Sequence, residues 1–137
     1  MNYYAVIDTN VLVSAMLKYD SIPGNVLELV ISGIIIPIVN DEILNEYRCV
    51  LKRDKFHFPK ETVDEVLNGL IDKAVFIVGE KQNIDLPDSK DMVFYEVVME
   101  ANKDNYAYLI TGNIKHFPFR HFIVTPRQFI DILLENN

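Results

Sequence analysis

Three short stretches place carboxylates where an apolar pattern breaks. In "YYAVIDTNVLVSAM", residues 3–16, a strand-like run ends on Asp8 and a helical pattern resumes at once. In "NDEILNEYRCVL", residues 40–51, Glu42 and Glu46 stand four apart and share one helix face, with Tyr47 of the apolar stripe beside Glu46. In "DLPDSKDMVFYEVV", Asp85, Asp88 and Asp91 follow one another at intervals of three as a loop enters a helix. Three Asp in seven positions repel one another unless they are solvated or bound to a cation. Together with Asp8 and Glu46 they form the oxygen-rich set that hard ions such as Mg²⁺ or Mn²⁺ require, and no Cys or His cluster with zinc spacing competes. Structural duties compete for the same residues. Asp8 or Asn10 could cap the following helix, Glu46 could pair with Arg48 or Lys52 on a solvated face, and Asp88 with Asp91 could form a capping box.

Positioning these groups is the work of strands alternating with helices. Strand-type runs lie at Tyr3–Ile7, Ile34–Val39, Val75–Val78, Tyr108–Thr111 and Phe122–Val124. Helical patterns lie at Val11–Leu17, Pro23–Ile31, Asp41–Lys52, Lys60–Lys73, Lys90–Asn102 and Pro126–Leu134, with Gly33, Gly79 and Gly112 in the loops. The alternation predicts βαβ units around a mostly parallel sheet. In such a sheet ligands bind beyond the carboxyl ends of the strands. Asp8 ends the first strand and "TGN" at 111–113 ends the fourth, so both project at that edge.

The chain has 137 residues, half of them hydrophobic, which is the size of one ordinary domain with a real core, here expected over residues 1–137. Thirteen Lys and Arg against twenty Asp and Glu give a net charge of −7, which weighs against broad electrostatic binding of nucleic acid unless a local basic patch or a metal ion compensates. The single cysteine, Cys49, reads as a buried small apolar residue. "MNYYAVIDTN" has no basic start followed by an apolar run, and "VLELVISGIIIPIV" is cut by Glu28, Gly33 and Pro37, so neither a signal peptide nor a membrane span is expected and the expected location is the cytoplasm.

Five blocks, "VIDTNVLVSAM", "ILNEYRCVL", "LPDSKDMVFYEVVMEA", "YLITGNIKHFP" and "IVTPRQFIDIL", resemble in order those of the PIN-domain family, over about Tyr3 to Leu134. The likeness is greatest to the bacterial and archaeal branch of toxin components related to VapC-type toxins. The resemblance implies a three-layer α/β/α sandwich and a metal-dependent ribonuclease centre built from acidic residues. It matches Asp8 to the first metal-binding acid, Glu46 to the second, Asp91 to the third and Asp88 to an additional acid. It further implies a homodimer and a small cognate antitoxin whose segment covers the acidic site. The family's fourth acid usually follows "TG", where this chain has Asn113, an oxygen donor without charge. A weak or inactive module of the same fold, binding RNA or a partner without cutting, is the alternative this departure leaves open.

The chemistry follows from the cluster itself. Hydrolysis of a phosphodiester needs an activated water and compensation for charge on the phosphorus oxygens, and a bound divalent ion supplies both. Asp8 and Asp91 would hold the principal ion, and Glu46 would orient or deprotonate the water. Asp88 or Asn113 would assist a weaker second site, with Thr9, Asn10 and Thr111 as supporting residues. RNA contacts are expected from two basic and aromatic stretches. "RCVLKRDKFHF" offers Arg48, Lys52, Arg53, Lys55 and His57, and "NIKHFPFRH" offers Lys115, His116, Arg120 and His121. Their phenylalanines could equally be core or lid residues. Ile22, Val26 and Leu29 could line a dimer or antitoxin surface, or simply pack in the core. A phosphotransfer domain would need a second early Asp and a Lys at a late strand end, and a haloacid-dehalogenase-like phosphatase would need Asp where Asn10 stands. Neither pattern is present.

Overall fold

The computed structural model describes residues 2–136, so the two end residues of the expected domain lie outside the described residues. Five strands, β1 (Tyr3–Ile7), β2 (Ile35–Val39), β3 (Val75–Phe76), β4 (Ala107–Ile110) and β5 (Ile123–Val124), form one all-parallel sheet in the order β3-β2-β1-β4-β5. Six helices, α1 (Thr9–Leu17), α2 (Ile22–Ile31), α3 (Asp41–Leu51), α4 (Lys60–Lys73), α5 (Met92–Ala101) and α6 (Pro126–Glu135), flank it in a three-layer α/β/α sandwich. Among the described residues no helix is long and apolar enough to cross a membrane.

The central strands are apolar on both faces because helices cover both. In β1, Ala5, Val6 and Ile7 are fully buried, as a parallel inner strand demands. Pro37 sits inside β2, where a missing N–H ordinarily breaks a ladder. Ile34 offers its carbonyl to Tyr3 on the β1 side, and Val39 offers its carbonyl to Ile77 on the other, so by alternation Pro37 turns its nitrogen toward β3. Pairing with β3 begins only at Ile38, so the proline costs no bond there.

Helix starts follow their caps. The Asn40 side chain accepts from the Ile43 N–H at 2.9 Å and opens α3, Ser21 does the same for α2 from Gly24, and Thr125 with Gln128 forms a capping box on α6. The pattern at residues 90–102 resolves into two pieces, a 3₁₀ turn at Ser89–Asp91 and then α5. The chain before it, residues 79–82, lies across α5. The N–H groups of Glu80 and Gln82 donate to the carboxylates of Glu100 and Glu96, and a Cβ on Gly79 would come within 2.4 Å of the Glu96 backbone.

One expectation is corrected, and for Val26 the core alternative holds. Cys49 is exposed. It stands two residues beyond Tyr47, and a step of two turns it about 200° around the helix, away from the buried stripe of Ile43, Leu44, Tyr47 and Leu51. Val26 is fully buried in the core and takes no part in any surface, while Ile22 and Leu29 are half-buried.

Candidate metal centre

Neighbouring strands β1 and β4 lead to crossovers on opposite sides, which makes their carboxyl ends the topological switch point of the sheet. Asp8 follows β1 and Thr111 follows β4. The Asp8 N–H donates to the Ile110 carbonyl at 2.9 Å, extending the ladder by one step, and the Thr111 hydroxyl donates to Asp8 Oδ2 at 2.7 Å. Asp8 occupies the N-cap position of α1 with its carboxylate turned to Thr111, close to the N–H groups of Thr9 and Asn10 but without a capping hydrogen bond of regular geometry. The Thr111 oxygen also accepts from the Asn113 N–H at 3.0 Å, which holds the "TGN" turn under the site.

Asp91 arrives from the other direction, between the 3₁₀ turn and α5. Its Oδ2 lies 3.1 Å from His116 Nδ1, and His116 belongs to a 3₁₀ turn at Ile114–His116 just beyond Asn113. Asp88 opens the Ser89–Asp91 turn, its Oδ1 accepting from the Lys90 N–H at 3.0 Å. The third support comes from α3. Tyr47 is fully buried and its hydroxyl donates to the Ile7 carbonyl at 2.5 Å, pinning α3 to the residue before Asp8. Replacing Tyr47 by Phe leaves that carbonyl without its partner in an apolar setting. The expected loss is about 1–3 kcal/mol of stability, read from denaturant unfolding with an unchanged m-value, and an unchanged midpoint would show that the bond contributes nothing.

Asp8, Thr9, Asn10, Glu46, Asp88, Asp91, Asn113 and His116 line one open cavity of about 300 Å³, together with Val13, Val50, Arg53, Phe56 and Lys90. Asp8 is only 5% exposed and Asp91 9%. Burial raises the Asp8 carboxyl to about 6. The Thr111 hydroxyl and the N–H groups of Asn10 and Thr9 work against the rise, and the nearby Asp91 charge adds to it. Burial raises Asp91 as well, opposed by His116 and reinforced by Asp88. Burial also lifts the Tyr47 phenol far above its ordinary range, with the Asp8 charge adding to it.

These two carboxyls are therefore costly to ionise where they stand, and a cation between them would remove the cost. Among the described residues no three His, Cys, Asp or Glu are grouped to hold a metal ion by themselves. Two buried carboxyls lining one cavity are compatible with Mg²⁺, which keeps several waters and uses one or two carboxylates. The Thr9 hydroxyl, buried on the cavity wall with no hydrogen-bond partner among the described residues, is a further oxygen in keeping with such a site.

Not every residue expected from the sequence meets here. Thr111 acts from beneath, through Asp8. Asp85 and Arg48 are exposed and do not line the cavity, and Lys52 is tied to Asp64 at 2.8 Å. Lys115, Arg120 and His121 line a separate cavity of about 530 Å³ between the loop after β4 and α6. Lys90 is a cavity residue that sequence reasoning passed over. Its place between Asp88 and Asp91 was the available signal.

The sequence profile of the PIN domain matches residues 4–115. This chain belongs to the PIN-domain family. Members of the family are in general nucleases. The match takes in both buried acids of this PIN domain, and β5 and α6 lie beyond it. A relative, the uncharacterized protein MJ1680 of Methanocaldococcus jannaschii, is 27% identical, the alignment covering 92% of this chain and 88% of the relative. Among solved structures, a chain of VapBC2 from Rickettsia felis, crystallised with a DNA fragment from its promoter, matches this PIN domain with a TM-score of 0.57. It is 19% identical, over 88% of this chain and 96% of the other, and so shares the fold.

Proposed function

We propose that this PIN domain is a metal-dependent endoribonuclease that hydrolyses RNA phosphodiester bonds, using Mg²⁺ or Mn²⁺ held by Asp8 and Asp91. The observation that carries the reading is the meeting, in one open cavity, of two buried carboxyls from elements 83 positions apart, each pushed upward in pKa. When bound, the ion supplies activation of water and neutralises charge on the phosphate oxygens. Glu46, on the same wall, orients the attacking water and takes its proton. Asp88 and Asn113 add oxygen donors at the rim. Thr111 and His116 hold the two principal acids in place, and Arg53 and Lys90 meet the phosphate of the substrate.

The likeness of the five sequence blocks to VapC-type toxins, and the fold shared with a chain of the VapBC2 structure, support a place as the toxin half of a toxin–antitoxin pair. In that role the domain, 1–137, works in the cytoplasm as a homodimer, and a segment of a small antitoxin covers the acidic cavity. A binding module without activity is favoured by one feature only, the neutral Asn113 on the cavity rim.

The test is incubation of a mixed RNA pool with purified protein in Mn²⁺, in Mg²⁺ and in chelator, beside Asp91→Asn. Cutting that needs either ion and is lost in the variant is the expected result. A folded, antitoxin-free protein that cuts with neither ion would replace the ribonuclease with the binding module.

A further inference from the structure

The turn after α3 carries a feature that the acidic centre does not use. Asp54–Phe56 form a 3₁₀ turn closed by His57 in the left-handed region, φ +58° and ψ 23°, which among the described residues is the one positive φ outside glycine. This reversal lays the Phe56 ring on Phe58, with centroids 5.6 Å apart and planes 14° from parallel. Phe58 packs against the hydrophobic core and Phe56 does not. Phe56 instead lines the cavity that holds Asp8, Glu46 and Asp91. A left-handed non-glycine residue that sets an aromatic ring at a cavity wall is the kind of local strain that persists where the surroundings hold it for a purpose.

Two cations share that wall. Arg53 and Lys90 line the same cavity, and among the described residues neither is paired with a carboxylate, in contrast to Lys52 with Asp64 and Lys103 with Glu80 and Glu100. Few phosphate contacts are available to a chain of net charge −7, so affinity for RNA has to come in good part from something other than charge. A flat ring beside free cations supplies it, because every base has a face to stack and an unpaired base has that face available.

The geometry points to Phe56 as the platform on which one unpaired base of single-stranded RNA stacks beside the acidic centre, while Arg53 and Lys90 hold the adjoining phosphate. The assignment rests on the ribonuclease reading for its substrate. Lys55 Nζ lies 5.1 Å from the Phe56 centroid. An exposed ammonium over a ring is held more weakly than a stacked base, so the base displaces it and frees Lys55 for the backbone of the RNA. Phe58 and the His57 turn keep the platform flat and in place before the base arrives.

The experiment is equilibrium binding, in chelator so that nothing is cut, of a labelled 12-nucleotide single-stranded RNA and of versions with one abasic position moved along the strand. The wild-type protein is expected to lose about tenfold in affinity at one abasic position and little elsewhere. Phe56→Leu, which keeps an apolar side chain against Phe58, is expected to bind the intact RNA about tenfold more weakly and to ignore that position, while Phe56→Trp restores both. Arg53→Gln is expected to lower the slope of log affinity against log salt by about 0.7. Phe56→Leu binding as the wild type does, or still sensing the abasic position, overturns the platform. Metal-dependent cutting of RNA by that same variant then leaves the ribonuclease reading standing. Conversely, abasic sensing that depends on Phe56 in a protein that cuts no RNA upholds the platform and removes the nuclease. A wild-type protein that binds no RNA in chelator overturns the platform, and its metal-dependent cutting of RNA then decides the ribonuclease reading separately. Should Phe56→Leu fail to fold, the abasic series on the wild-type protein decides the matter, because the absence of any one position whose abasic version binds about tenfold more weakly overturns the platform.

Discussion

Asp8→Asn is expected to stabilise the metal-free protein at neutral pH while reducing metal-dependent cleavage below about 1% of wild type, since even outer-shell partners of a metal are worth about 10–100-fold. The stability side follows from linkage. An unfolded Asp releases its proton near 3.8, and the folded Asp8 holds it until about 6. Below 3.8 both states are protonated and the folded state carries no penalty. As pH rises from 3.8 towards 6, the unfolded carboxyl ionises freely while the folded one keeps its proton, so stability falls, and above about 6 the loss levels off at about 3 kcal/mol. Asp91 is raised in the same direction and adds to the trend. Melting temperatures in chelator should therefore fall between about pH 4 and pH 6 and level off above for the wild type, and change less for Asp8→Asn, which should melt several degrees higher at pH 7.5. Mg²⁺ or Mn²⁺ should raise the wild type at pH 7.5 and do little for the variant. A variant that melts below the wild type at pH 7.5 would show that the carboxylate is held for structure and not against it.

Asn113→Asp should lower the Mg²⁺ concentration for half-maximal cleavage by about tenfold, an amount equal to about 1.4 kcal/mol of extra attraction for the ion. Asn113 lines the cavity and is exposed, so the new carboxylate adds a charged oxygen donor without a burial cost. Its N–H bond to Thr111 belongs to the backbone and survives the change. Titration of cleavage against Mg²⁺ measures the shift. An unchanged midpoint would place the 113 side chain outside the ion's reach and make its neutral amide irrelevant to activity.

Much of this was legible in the sequence because two periodicities and one edge rule carry it. Asp8 and "TGN" were assignable to the same sheet edge as soon as the strands were placed. Glu46 fell on the correct helix because Asn40 caps α3 where the pattern begins. The contacts that hold the acids could not be read in the same way. Thr111 reaches Asp8 across 103 positions of sequence, Tyr47 reaches Ile7 across 40, and His116 reaches Asp91 across 25. Each depends on the exact end of a strand or turn, where pattern reading is uncertain by a few residues. The grouping of His116 with Lys115, Arg120 and His121 by sequence also obscured a division in space, because His116 lines the acidic cavity while the other three line a separate one.

The Thr111 bond to Asp8 also fixes when, in the life of the molecule, the acidic site comes into being. Chains are made from the N-terminus, and Asp8 after β1 emerges 103 positions before Thr111 of the "TGN" turn after its neighbour β4. Until residues 107–116 have left the ribosome, β1 has one edge open, Asp8 has no hydroxyl beside it and Asp91 has no imidazole. The incomplete polypeptide therefore carries all the acids of the centre without their arrangement. A cell translating this chain meets the finished site only after β4 and the turn that follows it have emerged, one polypeptide at a time, with the long-range β1–β4 pairing as a slow step.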